Sequence, residues 1–407
     1  MKVLIVNNLY APQFVGGAER SVQLLAEALV RAGHQVVIAC LARRAGTRRT
    51  EVGGVRVHRI GMKNLYWPFG SRQRAAWLKG CWHALDSWNP FMAREVGRIL
   101  DAERPDVVHT NNLAGFSVSV WRAVKDRRLP LLHTLRDYYL FCPRSTMFRA
   151  GQNCGRRCTS CVVLGAPRRK PSDRVDAVVG ISRFVLDLHL EHGYFAKTRV
   201  RSVVYNGCAR KGAASVAHRD RSDVLRVGYL GRLHPSKGVE LLLDALARLP
   251  RERWQLFVAG TGTPQYEDQL ARRGSPANVH RLGFVEPAEL FDRIDVLVVP
   301  SLWHEPLGRT ILESYAHGVP VIAARRGGIP EIVDEGKTGF VFEPETGTEL
   351  HAVLERFVQS PALAVAMRPE VLRKAAAFAP ERMMSSYVDV YRSIAPGHGT
   401  APPPQDG

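Results

Sequence analysis

The sequence has 407 residues, of which 45% are hydrophobic, and a formal net charge of +19. Because single hydrophobic cores usually stop growing near roughly 250 to 300 residues, the length predicts two domains. The first apolar run is too short for a signal peptide and no stretch approaches the roughly 18 uncharged residues of a membrane helix, so we expect a cytoplasmic protein.

The excess positive charge lies in the first half of the chain. Residues 1–205 contain 33 lysines and arginines against 14 acidic residues, whereas residues 206–407 contain 24 of each. Such a charge attracts nucleic acid, an anionic membrane or a phosphorylated substrate, and a solvated basic surface without a partner is the alternative. The 7 cysteines are an odd number, which argues against a secreted disulfide framework.

Short apolar runs alternate with helical patterns along the whole chain. The runs are KVLIV, QVVIAC, VRVHRI, DVVHT, LLHTL and AVVGIS, then RVGYLG, WQLFVAG, VHRLGF, DVLVVP, PVIAA and GFVF. Continuous apolar strands separated by helices of ten or more residues predict parallel sheets that are covered on both faces. The predicted fold class is therefore α/β, with two doubly wound, Rossmann-like domains.

The domain boundary is predicted at the polar segment 206–223, which has no apolar period. The first domain is then 1–205 and the second is 224–380. A closing helix is predicted at about 381–394, with packing on the first domain as one option, and the Pro/Gly-rich tail 395–407 is predicted to be disordered. Because ligands of open α/β sheets bind beyond the carboxyl ends of the strands, we expect a site in a cleft between two facing domains.

Paired glycines follow the first predicted strand. Gly16 and Gly17 stand immediately before a predicted helix. Glycine lets the backbone approach a ligand where any Cβ would clash, and a helix amino terminus favours anions. A tight turn explains the pair equally well.

The segment 63–92 combines aromatic and basic residues. It holds four of the 7 tryptophans, and its basic residues are Lys63, Arg72, Arg74 and Lys79. Rings at headgroup depth and cations against anionic lipid predict peripheral binding to a membrane, here the inner face of the plasma membrane. Packing of the rings on the domain core is the alternative.

Four cysteines cluster in a loop rich in Arg, Gly and Asn. They are Cys142, Cys154, Cys158 and Cys161, with the spacing C-x11-C-x3-C-x2-C. Clustered thiols in a cytosolic chain predict a structural zinc site. An unligated or redox-active cluster is the alternative, because the spacing is irregular.

Two basic residues flank a predicted strand-to-helix turn in the second half. Arg232 and Lys237 stand in YLGRLHPSKGVELLLDAL. A guanidinium fork, an ammonium and a helix amino terminus suit a diphosphate. An exposed basic loop without a ligand is the alternative.

The next strand, VLVVP, leads into a loop and helix that carry two carboxylates. Glu305 and Glu313 are eight positions apart, a reach of up to about 12 Å along a helix, which matches a nucleotide sugar. Glu313 suits the ribose hydroxyls, Glu305 the hydroxyls of the sugar, and the amides of Leu307 and Gly308 the phosphates. Alternatively, Glu305 is a helix-entry charge and Glu313 is a surface residue paired with Arg309.

Together these stretches resemble the family-4 retaining glycosyltransferases of the GT-B fold, in order and across nearly the whole chain. The Glu-x7-Glu motif of that family reads EPxGxxxLE, which corresponds to residues 305–313. Neighbouring motifs match as well: VYNG at 204–207, GRLHPSKG at 231–238, VAGTG at 258–262, GVPVIAARRGGIPEIV at 318–333 and KTGFVF at 337–342.

The resemblance implies a role for each matching residue. Arg232 and Lys237 stabilise the diphosphate leaving group and Glu305 orients the donor sugar, which makes these three the catalytic residues. The implied donor-binding residues are Gly16, Gly17, Gly262, Leu282, Phe284, Leu307, Gly308 and Glu313, with Glu313 on the ribose, Leu282 and Phe284 near the base, and Gly17 bringing the acceptor domain against the phosphates. The family uses no metal for catalysis.

One stretch departs from the family. Many relatives have His-Asp after the strand LLHTL, where this chain has Arg136 and Asp137. Arginine stays protonated at neutral pH and cannot act as a base, so we expect Arg136 to contact phosphate or acceptor. His109 is an alternative polar contact or a structural histidine. The family implies a front-face displacement, in which the leaving phosphate helps to deprotonate the acceptor.

The sequence thus predicts a metal-independent, retaining hexosyltransferase in cell-surface glycan biosynthesis. It would move a sugar from a nucleoside diphosphate sugar to a lipid-linked or polysaccharide acceptor bound by the basic first half. Epimerisation or hydrolysis of a nucleotide sugar on the same fold is the second enzyme alternative. A basic nucleic-acid-binding protein is the non-enzyme alternative, and the absence of a nucleic-acid motif argues against it.

Overall fold

The structure, a computed structural model, describes residues 1–13, 16–70, 74–209, 223–273 and 277–395. Most of the predicted linker, and all of the predicted tail beyond its first residue, lie outside these ranges. The strands are β1 (Lys2–Val6), β2 (Gln35–Ala42), β3 (Thr47–Val52), β4 (Val55–Gly61), β5 (Val107–Thr110), β6 (Leu131–Leu135), β7 (Phe148–Arg149), β8 (Gln152–Asn153), β9 (Ala177–Gly180), β10 (Val200–Val203), β11 (Leu225–Leu230), β12 (Trp254–Ala259), β13 (Val279–Gly283), β14 (Val296–Val299), β15 (Val321–Ala324) and β16 (Gly339–Phe342). The α-helices are α1 (Gly17–Arg31), α2 (Ala76–Ser87), α3 (Pro90–Glu103), α4 (Ser119–Lys125), α5 (Thr159–Ser172), α6 (Arg183–Glu191), α7 (Val239–Leu246), α8 (Pro264–Arg273), α9 (Pro287–Phe291), α10 (Arg309–Ala316), α11 (Thr348–Gln359), α12 (Ala362–Ala377) and α13 (Pro380–Ile394).

The chain divides into two compact units. The first unit comprises Met1–Thr146, Gly155–Gly207 and the segment from Pro380 onward, and the second comprises Met147–Cys154 and Cys208–Ala379. The sequence predicts residues 147–154 as part of the first domain, but the structure groups them with the second unit. The reason is physical, because hydrogen bonds from this hairpin reach the loop after β14.

The first unit contains an eight-stranded sheet with the strand order β10-β9-β6-β5-β1-β2-β4-β3. Its strands are parallel except β3, which pairs antiparallel with β4. The chain starts at β1, moves outward through β2, and returns to β5 on the other side of β1. This reversal is a topological switch point, where sheets of this kind bind ligands.

The second unit repeats this plan with six parallel strands in the order β13-β12-β11-β14-β15-β16. Every residue of β14 and β15 is buried, because helices cover both faces of a parallel sheet. The switch point lies between β11 and β14. The predicted α/β class with two doubly wound sheets is confirmed.

Helix α13 completes the core of the first unit. Its apolar face, including Tyr387 and Tyr391, belongs to the same buried cluster as Leu25 of α1. The Tyr391 hydroxyl lies 2.7 Å from Nδ1 of His109, on β5. The end of the described chain is therefore tied to the interior of the first unit.

Substitution of Tyr391 by Phe should lower the free energy of unfolding by about 1–3 kcal/mol, because His109 would keep a buried ring nitrogen without its partner. Urea unfolding measures the difference. Tyr10→Phe is the matched control, since Tyr10 belongs to the same cluster and its buried hydroxyl has no hydrogen-bond partner among the described residues. Equal costs for the two variants would contradict the prediction.

Candidate functional site

Two loops leave the second sheet side by side at its switch point. Strand β11 pairs with β14, with Val227 opposite Val296. Because the strands are parallel, the loops at their carboxyl ends start at the same edge. The first loop carries Arg232 and Lys237, and the second carries Glu305. The topology therefore brings three predicted catalytic residues from separate sequence stretches to one edge of the sheet.

The loop after β11 is a tight turn that ends in a 3₁₀-helix, Pro235–Lys237. The Tyr229 hydroxyl donates to the carbonyl of Arg232 at 2.9 Å, which fixes the start of the turn. Gly238 follows with a φ of +69°, and an added Cβ would lie 1.9 Å from the carbonyl oxygen of Pro300. Glycine is required at 238, because the backbone of the second loop occupies the space of a side chain.

Glu305 is the polar centre of the second loop. Its Oε1 atom accepts hydrogen bonds from Lys237 Nζ at 2.5 Å, Ser301 Oγ at 2.8 Å and Trp303 Nε1 at 2.9 Å. The ammonium of Lys237 also lies 4.8 Å from the centre of the Trp303 ring, within cation–π range. The ion pair is partly buried and is therefore screened less by salt than a surface pair.

Backbone contacts hold Glu305 in this position. The carbonyl of Ser236 accepts from the amide of Leu302 at 2.9 Å, and the carbonyl of Glu305 accepts from the amide of Gly328 at 2.8 Å. Gly327 has a φ of +60°, and an added Cβ would lie 2.0 Å from the Glu305 carbonyl oxygen. The loop is thus packed between the turn after β11 and the turn after β15.

Arg232 is exposed at the same edge. None of the residues that the structure describes forms an ion pair with its guanidinium. Its main chain is held by Tyr229, so the side chain projects from a fixed point. A guanidinium in this setting can form two parallel hydrogen bonds to a phosphate or carboxylate.

Glu313 lies on α10, which begins directly after Gly308, where φ is +96°. Its Oε1 atom accepts a hydrogen bond from Nε of Arg309 at 2.9 Å, so the ion pair that the sequence suggested as an alternative to ribose binding is present. Glu313 is nevertheless 8% exposed, and its description as a surface residue was wrong. Leu307 is 2% exposed, so a ligand could contact its main-chain amide but hardly its side chain.

The other predicted donor-binding residues of the second unit lie after β12 and β13. Gly262 forms a β-bridge with Leu233, and an added Cβ would lie 2.5 Å from the Leu233 carbonyl oxygen. Leu282 is half-buried in β13, and Phe284, two residues later, is 75% exposed. A large exposed aromatic ring beside this edge is available to stack on a planar ligand.

In the first unit, Gly16 precedes α1 and Gly17 is its first residue. The amide of Gly16 donates to Oε2 of Glu19 at 3.0 Å. The backbone of Gly16 is extended, with a φ of −154°, and an added Cβ would come no closer than 3.8 Å to Glu19. The turn itself therefore does not require glycine at this position.

His109 is locked inside the first unit. Its ring nitrogens lie 2.7 Å from the hydroxyls of Tyr391 and Thr134, and the side chain is fully buried. Burial, together with the nearby charge of Arg136, holds the pKa of His109 well below its usual value. The structure therefore favours the structural histidine over a contact to sugar or acceptor.

Arg136 and Asp137 follow β6 at the edge where the chain leaves the sheet. Arg136 is 5% exposed and donates to Oδ1 of Asn111 at 2.7 Å and Oδ1 of Asn206 at 2.6 Å. Asp137 accepts from the amide of Tyr139 at 2.9 Å, and burial raises the pKa of its carboxyl to about 6. The two residues are therefore held by hydrogen bonds at the strand ends, with little of Arg136 exposed to solvent.

Several polar residues of both edges were missed by the sequence analysis. In the first unit they are Asn7, Asn111, Asn112 and Asn206, and in the second they are Asn153, Ser301 and Trp303. Most of them stand just after a predicted strand, so a search for polar residues at strand ends could have found them. Asn153 gave no such signal, because it stands in the cysteine-rich loop.

Two thiols of the predicted cysteine cluster lie next to each other. The sulfurs of Cys158 and Cys161 are 3.5 Å apart. Burial, with Cys142 and Cys158 close by, raises the pKa of the Cys161 thiol above its ordinary range. Across the described parts of the chain, no group of three or more His, Cys, Asp or Glu side chains is placed to hold a metal ion. Zinc binding stays a prediction.

The aromatic and basic segment 63–92 is divided between core and surface. Trp82 is 3% exposed and donates its indole N–H to the carbonyl of Tyr66 at 2.9 Å. Trp77 and Phe91, in contrast, are 71% and 58% exposed. Arg72 lies outside the described residues. No described helix is long and apolar enough to cross a membrane.

Comparison with known proteins places both units in context. Residues 16–207 match the family described as "Glycosyl transferase 4-like domain", and residues 214–374 match "Glycosyl transferases group 1". An "uncharacterized 42.6 kDa protein in cps region" of Klebsiella pneumoniae is 32% identical over 333 residues, which cover 82% of this chain and 87% of that protein.

Solved structures share the fold at low sequence identity. Sucrose-phosphate synthase from Thermosynechococcus elongatus superposes with a TM-score of 0.74 at 20% identity, covering 96% of this chain and 98% of that one. The Anabaena protein HepE in complex with UDP and glucose gives a TM-score of 0.70 at 21% identity, covering 97% and 100%.

The packing at Gly238 generates a test of the site's architecture. Gly238→Ala should destabilise the second unit by more than about 1–2 kcal/mol, because a strained φ and a backbone clash with Pro300 add up. Gly336→Ala is the matched control, since Gly336 has a φ of +71° but no atom within 4 Å of an added Cβ. Thermal and urea unfolding compare the variants, and similar losses would show that the loops do not pack as described.

Proposed function

We propose that this chain, which belongs to the group 1 glycosyltransferases of family-4 type with the GT-B fold, transfers a glycosyl unit from a nucleoside diphosphate sugar to a glycan or lipid-linked acceptor. The observation that carries the proposal is the placement of Lys237, Glu305 and Arg232 at the switch point of the second sheet. Structures of HepE hold UDP, glucose and UDP-glucose. A related donor for this chain is consistent with that likeness.

The cations at this edge suit the leaving group. Cleavage of the bond between sugar and diphosphate leaves negative charge on the phosphate, and prearranged positive groups stabilise such charge. Lys237 is held by Glu305 and Trp303, so its ammonium is in place before a ligand arrives. Arg232 adds an exposed guanidinium, which can donate two parallel hydrogen bonds to phosphate oxygens. We infer that these two cations make the reaction independent of a divalent metal ion.

The carboxylates suit the two sugars of the donor. Glu305 lies beside the cations and is proposed to orient hydroxyls of the transferred sugar. Glu313 is proposed to accept from the ribose, because a carboxylate has about four lone-pair sites and its pair with Arg309 leaves acceptor capacity. Attack on the same face that the diphosphate leaves retains the anomeric configuration. This displacement needs no protein base, which agrees with the locked state of His109.

The acceptor is proposed to bind the first unit and to belong to a surface glycan or its lipid-linked precursor. The first half of the chain carries the entire net positive charge. The Klebsiella relative is described by its place in a cps region. Exposed Trp77 and Phe91 lie in a segment with Arg74 and Lys79, a combination that suits the surface of an anionic membrane. We therefore propose peripheral binding to the inner face of the plasma membrane.

Glu313→Ala tests the ribose contact. The variant should bind the cognate nucleoside diphosphate at least about tenfold more weakly, equivalent to about 1.4 kcal/mol, because a buried acceptor is lost. Isothermal titration with UDP, GDP and ADP measures the affinities. Glu355→Ala, an exposed glutamate of α11, is the control and should bind like the wild type. Unchanged affinity of Glu313→Ala would remove the assigned role.

The membrane contact has its own test. Wild-type protein should sediment with vesicles of phosphatidylglycerol and phosphatidylcholine, and the double variant Trp77→Ser, Phe91→Ser should stay largely in the supernatant. High salt should also weaken binding, because the electrostatic part is screened. Val365→Ser removes a residue of the second unit that is 69% exposed and should bind as the wild type does. Failure of the wild type to sediment at low salt would contradict the proposal.

A further inference from the structure

A side chain from the cysteine-rich loop is bonded to the loop that carries Glu305. Asn153 stands at the end of β8, in the short hairpin β7–β8 that belongs to the second unit. Its Nδ2 atom donates to the carbonyl of Leu302 at 2.7 Å. Its Oδ1 atom accepts from the amide of His304 at 2.9 Å. Both ends of one side-chain amide are therefore used by the backbone of one loop.

The pairing defines the orientation of this amide. The carbonyl of Leu302 needs a donor and the amide of His304 needs an acceptor, so the nitrogen and oxygen of Asn153 cannot be exchanged. The two backbone groups belong to residues i and i+2. A side-chain amide that bonds such a pair fixes the two backbone groups relative to each other and so restrains the residue between them.

The loop residues bonded by Asn153 lie next to Trp303 and Glu305 of the candidate site. Trp303 stands between the two residues bonded by Asn153, and its indole N–H donates to Glu305 at 2.9 Å. On the other side, the amide of Gly327 lies 3.2 Å from Nδ1 of His304. The loop 302–304 has no helical or strand hydrogen bonds of its own. Without Asn153 it would lose the hydrogen bonds at the carbonyl of Leu302 and the amide of His304. The position of Trp303 and Glu305 therefore depends on a residue about 150 positions earlier in the chain.

We propose that Asn153 is a positioning residue that sets the orientation of Glu305 and Trp303 for the donor sugar. The catalytic part of this inference rests on the proposed function, whereas the structural part rests on the two hydrogen bonds. Asn153 holds the loop of Glu305 and not the helix of Glu313, and the main chain of Lys237 is held separately in the 3₁₀-helix Pro235–Lys237. Loss of Asn153 should therefore affect the transfer step more than the binding of the nucleoside diphosphate.

The test compares Asn153→Ala with Gln152→Ala, a matched control in the same hairpin whose side chain is exposed. Hydrogen exchange is measured for peptides that cover residues 302–305, and kcat/KM is measured with the best nucleotide sugar. In Asn153→Ala the amide of His304 should exchange at least about tenfold faster, because its acceptor is gone. The kcat/KM should fall about tenfold, with the dissociation constant of the nucleoside diphosphate within about twofold of the wild type.

A conservative variant separates positioning from loss of structure. Asn153→Asp keeps an acceptor for the amide of His304 but turns its second carboxylate oxygen, also an acceptor, toward the carbonyl of Leu302, so exchange at His304 should lie between the rates of the wild type and Asn153→Ala. Its kcat/KM should lie between those of the wild type and Asn153→Ala. A merely structural role would not produce this graded order at constant nucleotide affinity.

Each other outcome has a defined meaning. Wild-type exchange in Asn153→Ala overturns the contact, and faster exchange with unchanged kcat/KM overturns the positioning role. A parallel fall in nucleotide affinity shows general damage to the donor-binding unit and also overturns it. If the wild type transfers sugar from no nucleotide sugar, the proposed function fails, and the exchange data then decide by themselves whether Asn153 orders the loop.

Discussion

The ion pair between Lys237 and Glu305 is the interaction around which the strand ends of the second unit are organised. Charges withdrawn from water need geometry and additional hydrogen bonds to offset desolvation, and Ser301 and Trp303 supply such bonds to the carboxylate. Two glycines, at 238 and 327, let the surrounding backbones come close enough to enclose the pair. The site is thus built by close contact between main chains as much as by charged groups.

Much of this arrangement could be predicted from sequence because it follows from local patterns. A strand, a tight turn and a helix placed Arg232 and Lys237 at a strand end, and the next such unit did the same for Glu305. Pairing of β11 with β14 then joined the two loops. Contacts over long sequence separation could not be predicted, since no local pattern shows that Asn153 bonds the backbone at 302 and 304. Burial identifies His109 as a structural histidine and shows that Glu313 is not a surface residue. No local pattern in the sequence shows how deeply these two side chains are buried in the folded chain.

The strand ends of the first unit combine a buried arginine with side-chain amides. Arg136 donates hydrogen bonds to the side-chain carbonyls of Asn111 and Asn206. Both ring nitrogens of His109 are hydrogen-bonded to hydroxyls in the core, those of Tyr391 and Thr134. Amides both donate and accept hydrogen bonds, which suits the hydroxyl groups of a carbohydrate.

The second unit is assembled from two stretches of chain, Met147–Cys154 and Cys208–Ala379, while the first unit takes back the residues from Pro380 onward. Neither half of the polypeptide cut in the region of 210–222 would contain a whole unit. The two fragments of a protein cleaved there should accordingly stay associated, because each fragment contains residues that belong to the unit formed mainly by the other. Hybrid enzymes made by splicing relatives at that point would inherit a hairpin from one parent and its receiving loop from the other. A faithful transplant of the donor-binding unit must carry the hairpin with it and return to the host sequence at the start of α13.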